Sequence, residues 1–364
     1  MFPTLLTEIE DRVQSIDPVR YAATRNYKDG AVTRLSPYIS RGVISTKQVF
    51  NYILSLDLPW SDIEKLVQEL AWRDYWQQVW IAKGDAINRD LKSPQHPVLH
   101  NDMPAVFLEP STQIEAVDAG IRELKATGYM HNHMRMYVAS IACNMGQAHW
   151  YRPAQWMYYH LLDGDWASNA LSWQWVAGSN ANKKYYANQA NVNQFFNSNQ
   201  RNSFLDASYE ALASLSVPEF LKERLKLNLI TPFPEVNKPD LHHGRKTLIY
   251  NYYNIDPYWY QEDSGVQRVM LLEPSHFEQY PVSQKSIEFI LKLGENITGL
   301  KLFIGEFEEL QAIVGKDQLV FKEHPTNGHY QGKMEPRDWM FTVKGYYPSF
   351  FSFWKKCKKE INGR

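Results

Sequence analysis

The chain has 364 residues, enough for two domains or one large one, and 44% of them are apolar, so a full hydrophobic core is available. A net charge of −1 argues against a broad basic coat but leaves room for a local basic rim around one cleft. Two cysteines, Cys143 and Cys357, are too few for a disulfide framework or for the four thiolates of an iron–sulfur cluster, and no apolar run approaches the roughly 18 residues of a membrane span. The first residues lack a basic region followed by an apolar run, so no signal peptide is read and a soluble intracellular protein is expected. The aromatic share of 14%, with 12 Trp and 22 Tyr, fits stacking on planar ligands and core filling equally well.

Residues 4–16 show helical spacing of Leu5, Ile9 and Val13 behind a Thr4 cap. A polar loop then carries Tyr21, Arg25 and Tyr27 into DGAVTRLSPY, where Thr33, Arg34, Leu35 and Ser36 precede Pro37, a residue suited to opening a helix. Such a loop can hold phosphate oxygens through amides and hydroxyls, or be a capped surface turn. Helices are expected over 45–56, entered at Ser45, and 61–83, entered at Ser61. In the second, Glu69, Trp72 and Arg73 fall at i, i+3 and i+4 on one face, as a partly exposed ion pair beside packing or as a cleft wall.

Residues 84–110 read as a long Pro-rich loop, and 111–126 as a helix stopped by Gly128. From Gly128 to Ala190 polar and aromatic residues mix in a way a plain core avoids, because each buried polar group needs a partner. Asn132, Arg135 and Met136 repeat the i, i+3, i+4 triplet, and Asp163 and Asp165 flank one glycine ahead of Asn169, Trp173 and Trp175. This stretch reads as the wall of a pocket for something planar, polar and large. Residues 207–229 look like one or two helices, followed by a Pro-rich linker. Beyond it, strands (KTLIYNYY, QRVMLLE, LKLFIG, DQLVFKE) alternate with helices (SQKSIEFILKLGENI, EFEELQAIV), which predicts a small parallel sheet with crossovers. The tail from Asp338 is aromatic and basic, a helix packing back with a solvated Lys face.

Four pieces, DGAVTRLSPY, QELAWRDYW, TGYMHNHMRM and LLDGDWASNALSWQW, occur in order over about residues 18–195. Together they resemble the flavin-binding domain of the photolyase/cryptochrome family, nearest its cyclobutane-dimer enzymes. The resemblance implies a mainly α protein: an all-helical FAD-binding domain over 1–235, then a small α/β, reduced or rearranged Rossmann-like domain over 236–364. It implies FAD as cofactor, with Tyr21, Thr33, Arg34, Leu35 and Ser36 along its phosphates and ribityl chain. Arg135, Asp163, Asp165 and Asn169, with Asn132, would surround its rings, Arg135 and Asp163 pairing close to the flavin. Glu69, Trp72, Asn132, Met136 and Trp175 match the positions that hold a flipped pyrimidine dimer, two indoles replacing lost base stacking worth about 1–3 kcal/mol per base. Arg25, Arg73, Lys183 and Lys184 would meet DNA phosphates at the rim.

The implied reaction is light-driven: excited reduced FAD lends one electron to the dimer, the ring splits and the electron returns, with no metal required. The (6-4) enzymes carry histidine, a proton donor, where this chain has Asn132 and Met136, which favours the cyclobutane dimer. The alternative on the same domain is a cryptochrome-like photoreceptor. Either reading implies a monomer in the cytoplasm, nucleoid-associated if bacterial, with dimer-containing DNA as the repair enzyme's partner and no membrane. Of the family's three electron-relay tryptophans, Trp173 and Trp150 are matched. No tryptophan lies between Ile81 and His149, so the relay ends on Tyr151 or Trp156, takes another route, or is inefficient. His133 stands where an arginine often meets DNA. The α/β antenna domain that usually precedes the flavin domain has no counterpart ahead of these motifs, and a rearranged or reduced antenna-like domain is expected after them at about 245–325, where RVMLLEPSHFEQYPVSQKSIEFI resembles the family's strand–loop–helix. Whether it takes a second chromophore is not legible.

Overall fold

A computed structural model describes residues 2–362. In chain order they form helices α1 (Leu6–Gln14), α2 (Pro18–Thr24), α3 (Ser36–Ser40), α4 (Thr46–Ser55), α5 (Trp60–Lys83), α6 (Glu115–Thr127), α7 (Asn132–Ser140), α8 (Tyr151–His160), α9 (Trp166–Ala177), α10 (Gln189–Phe196), α11 (Tyr209–Ala213), α12 (Pro274–Gln279), α13 (Gln284–Gly294), α14 (Phe307–Val314) and α15 (Phe350–Asn362). The strands are β1 (Met103–Pro104), β2 (Arg224–Leu225), β3 (Thr247–Tyr250), β4 (Gln267–Leu272), β5 (Leu300–Ile304), β6 (Leu319–Lys322) and β7 (Lys333–Glu335). Two compact units interleave along the chain. One takes the described residues up to Pro18, Thr33–Ala82 and those from Ile230 onward; the other takes Val19–Val32 and Lys83–Leu229.

In the first unit β3–β7 form one parallel sheet in the order β5-β4-β3-β6-β7, that is, third, second, first, fourth and fifth along the chain. This is the doubly wound arrangement, in which helices cover both faces and inner strands become unbroken apolar runs. Thr247–Tyr250 is buried at every position, and Ile249, Val269, Leu271, Phe303, Phe307, Leu310 and Phe321 form one core. The expected parallel sheet is therefore present, with the short polar edge strand β7 added; its three residues carry no strand pattern of their own.

The same unit contains α5, whose Asp74, Gln77 and Gln78 are all buried. Thr46 Oγ1 and the Met340 amide donate to Asp74 at 3.0 Å each. Arg337 Nη1 donates to Gln77 and the Gly345 amide to Gln78, each at 2.8 Å. These bonds hold the segment before α15 along α5. The expected tail helix forms as α15, burying Phe350, Phe353, Trp354 and Cys357 and exposing Lys355, Lys356 and Lys359.

Three local expectations change. The first helix starts at Leu6, not at a Thr4 cap: Asn296 receives the Leu6 amide at 2.9 Å and donates to the Thr4 carbonyl at 2.7 Å, so a distant side chain satisfies that end. The polar loop around Tyr21 is helical as α2, with Pro18 at its first position. The helices expected over 207–229 shrink to α11 and one 3-10 turn, because Pro218 interrupts the run and Arg224–Leu225 pairs with Met103–Pro104 instead. By contrast Ser45 caps α4 as expected, in a reciprocal box with Gln48.

At the carboxyl ends of β3, β4 and β6 a small cavity is lined by Asn251, Glu273, His276, Asn327 and Tyr330. Burial works to raise the Glu273 carboxyl, but hydrogen bonds from His329 at 2.8 Å and Tyr330 at 2.7 Å outweigh it and hold it low. Beside it, burial pushes the largely buried His276 imidazole down to about 4 and lowers His324 well below its ordinary value. A folded-state value below the unfolded one means that the unfolded chain binds the extra proton first. Stability is then full above about pH 6.5 and falls as pH drops towards 4. We expect thermal unfolding to lose on the order of 2–3 kcal/mol from His276 across that window. A His276→Phe variant should flatten the pH dependence while keeping the pH 7 melting point; an unchanged slope by calorimetry would refute the assignment.

Candidate functional site

The second unit supplies one wall. Gly128 ends α6 in the left-handed region (φ 74°), and a Cβ there would lie 2.5 Å from Leu162 Cγ. The close approach is tied by the Leu162 amide, which donates to the Gly128 carbonyl at 2.8 Å. It delivers Asp163 opposite α7. Arg135 Nη2 donates to both Asp163 oxygens at 3.0 and 2.8 Å, and its Nε donates to the Met130 carbonyl at 2.9 Å. With Asp163 only 5% exposed, the guanidinium is fixed by charge-assisted bonds in a poorly hydrated setting.

Two residues on, Asp165 caps α9, accepting from the Ser168 amide at 3.0 Å and from the Ser168 hydroxyl. Asn169 Nδ2 donates to the Ala154 carbonyl at 2.8 Å, which locks its amide one turn into α9. Along α7, Asn132, Arg135 and Met136 form the more open stripe, while Met134, Tyr137 and Val138 are buried. The triplet expected on this wall thus meets a helix of the right phase. Trp175 is 40% exposed near the end of α9, its ring 6.0 Å from Tyr185.

The relay candidates are buried in the same unit. Trp150 donates Nε1–H to Asp90 at 2.7 Å, and its ring neighbours are His149 and Tyr151, 5.7 and 5.5 Å away. Tyr151 continues to Trp166 at 5.8 Å and Trp166 to Tyr158 at 5.4 Å. Trp173 is 2% exposed, and Trp156 packs on Phe107 and His160. Of the rim candidates here, Lys183 is exposed, whereas Lys184 is half-buried and burial lowers its pKa. Arg25 donates to the Ala22 carbonyl at 2.9 Å, and Tyr21 lies half-buried on α2. His133 lies between the Tyr137 and Phe195 rings, each 4.7 Å away, and burial lowers its pKa.

The first unit holds the remaining candidates. Glu69 is half-buried and pairs with Lys65 one turn back at 3.1 Å. Trp72 stacks on Phe350 of α15, ring centroids 3.8 Å apart and planes 11° off parallel. Arg73 Nη1 donates to Ser40 at 2.6 Å, so the face read as acid, indole and guanidinium is built, with part of the guanidinium engaged. Thr33 Oγ1 accepts from the Leu35 amide at 3.4 Å, Arg34 is exposed and has φ 53°, and Ser36 opens α3. A left-handed conformation at a non-glycine residue is uncommon and marks a loop whose surroundings over-determine it. With five residues, α3 adds only a small dipole, so hydroxyls and loop amides are the useful donors.

Phe350 was not singled out from the sequence. Its signal was the aromatic density of YYPSFFSFW, which does not say which ring meets which. Gly128→Ala should destabilise the protein by about 2 kcal/mol or more, from the left-handed backbone and the Leu162 clash combined. Chemical denaturation tests this, and a loss below half that would mean the Asp163 turn yields easily.

Residues 66–221 match the model of the FAD binding domain of DNA photolyase. A deoxyribodipyrimidine photo-lyase of Halobacterium salinarum is 29% identical over 183 residues, 48% of this chain and 38% of that protein. One of Streptomyces griseus is 34% identical over 42% of this chain and 35% of its own. The cryptochrome DASH of Danio rerio is 31% identical over 43% and 32%. Among solved structures, a Synechocystis cryptochrome is 28% identical with a TM-score of 0.48, covering 53% of this chain and 44% of that one. The chain therefore spans well under two thirds of the relatives it matches. Residues 66–221 are thus similar to the FAD-binding domain of the photolyase/cryptochrome family, and the motifs QELAWRDYW, TGYMHNHMRM and LLDGDWASNALSWQW fall within them.

Proposed function

We propose that this protein is a light-driven DNA lyase that binds FAD and splits cyclobutane pyrimidine dimers. The observation that carries the reading is the α7–α9 wall, where Arg135, Asp163 and Asn169 are fixed by named partners and Asp163 and Asn169 are 5% and 9% exposed. A core built for burial alone would not keep this set, and its donors and acceptors fit the polar edge of a flavin. Reduced FAD, once bound, supplies the photoexcited electron donor. Arg135 contributes a fixed positive charge, already oriented by Asp163, that needs no reorganisation. Asn132, Asp165 and Asn169 complete the ring contacts, and Tyr21, Thr33, Arg34, Leu35 and Ser36 take the phosphates and ribityl chain.

On the DNA side, Trp72 and Trp175 replace lost base stacking, Met136 adds apolar contact, and Glu69 exchanges its half-buried partner Lys65 for the dimer's polar edge. Arg25, Arg73, Lys183 and Lys184 are the rim cations, Lys183 the most available of them. Trp173 and Trp150 relay electrons inward, with Tyr151 next in ring contact after Trp150. The helical FAD-binding part is proposed over 1–235 and the α/β part over 236–364, in a monomer. A cryptochrome-like photoreceptor is the second reading, favoured by the cover that Phe350 places on one face of Trp72 and by the similarity to a cryptochrome DASH.

The test is an absorption spectrum of the purified protein, then illumination under reducing conditions with single- and double-stranded DNA carrying one dimer. Flavin bands and dimer loss are expected. Protein without flavin bands overturns the proposal, and flavin without dimer loss promotes the photoreceptor. A Glu69→Ala variant should keep its flavin yet repair at least about ten-fold more slowly, for a charged hydrogen bond worth about 1.5–3 kcal/mol. Parent-like repair would remove that role.

A further inference from the structure

The stack of Phe350 on Trp72 brings the start of α15 to the indole proposed to face DNA, and what α15 displays beyond it is basic. Between residues 342 and 361 there are five lysines and one glutamate, in a chain whose net charge is −1. Glu360 is engaged by Thr342 at 3.0 Å, and Lys358 by Glu64 at 2.8 Å. Lys344, Lys355, Lys356 and Lys359 are exposed and have no carboxylate partner among the described residues. Two exposed aromatics are interleaved with them, Phe351 at 70% and Tyr346 at 41%. Phe350, Phe353, Trp354 and Cys357 face inward, so the helix is anchored by one stripe and its lysines project from the other.

We propose that this segment is a DNA clamp: Lys355, Lys356 and Lys359 contact backbone phosphates beside the Trp72 indole, and Phe351 stacks on a neighbouring base. The inference rests on Trp72 facing DNA. At about 1.5 Å rise per residue, Lys355 to Lys359 lie roughly 8–14 Å along the helix from Phe350, within one to a few nucleotides of a base at the indole. Uncompensated lysines supply sequence-independent phosphate affinity, and exposed rings supply sequence-tolerant stacking. A membrane fits less well, because the apolar stripe of α15 is already buried in protein.

The test uses the full chain with its flavin. Binding to a duplex carrying one dimer, and to the same duplex undamaged, is followed from about 50 to 300 mM salt. K355A/K356A/K359A should bind both DNAs about ten-fold or more weakly near 0.1 M salt, with a slope of log affinity against log salt shallower by about 2–3. Repair per bound dimer should be unchanged. F351A should cost about five-fold or more in affinity with an unchanged salt slope. K355R/K356R/K359R keeps the charge and should bind as the parent does, so a folding defect in the alanine variant is recognised. Equal affinity and slope in parent and alanine variant overturns the clamp, as does a loss confined to anionic lipid vesicles. A parent that binds DNA through these lysines but repairs no dimer sinks the repair reading and leaves the clamp standing.

Discussion

Asp74 lies in the middle of a 24-residue helix, 7% exposed, and a carboxylate in that position must be given donors or lose its charge. Burial does push its pKa up, against the Met340 amide and the nearby Arg337 and Arg73. The donors come from Thr46 and from the tail at Met340, and the adjacent Gln77 and Gln78 recruit Arg337 and Gly345 in the same way. Satisfying one polar stripe on α5 therefore decides the path of the chain's last segment. That path ends with Phe350 against Trp72 and α15 anchored through Trp354 beside Trp60. The opposite end of α5 uses Trp80 for a related purpose, packing edge-on to Tyr253, Tyr280 and His324 of the sheet region.

The second unit solves the same problem with different chemistry. Arg135 and Asp163 neutralise each other, and the Met130 carbonyl takes the remaining Nε–H. The pair depends on a glycine, since only Gly128 allows both the left-handed cap and the approach of Leu162. A buried ion pair is weak evidence for stability by itself. Its rigidity is what a binding wall needs, because groups already oriented need not be reorganised when a ligand arrives. Buried arginine recurs in the first unit, where Arg41 is fully buried with its guanidinium 3.6 Å over the Tyr252 ring, so a buried cation in this fold does not by itself mark a site.

The aromatic surplus, ambiguous as composition, resolves by position. Trp150, Trp156 and Trp166 are packed in the core, where indole N–H groups of Trp150 and Trp166 find Asp90 and Asn88. Trp175 and Phe351 remain on the surface, and Trp72 is shared between packing and exposure. None of these fates is written in the residue type. They follow from which neighbour, from tens to hundreds of residues away, arrives at each ring.

Short-range periodicity was enough for what depends on neighbours in sequence. The i, i+3, i+4 triplets on α5 and α7, the Ser45 capping box, the Gly128 stop and the alternation that gives a parallel sheet are all local, since helix phase and strand pleat follow from backbone geometry. The Arg135–Asp163 pairing was legible only through the motifs of a recognised family. The start of α1 at Asn296, the edge strand β7, the loss of helix beyond Pro218 and the cover of Phe350 on Trp72 were decided by the tertiary structure. For α1 and Trp72 the deciding partner is hundreds of residues away, and a hydrogen-bonding group or an apolar face left open locally is closed by whichever segment the fold brings to it.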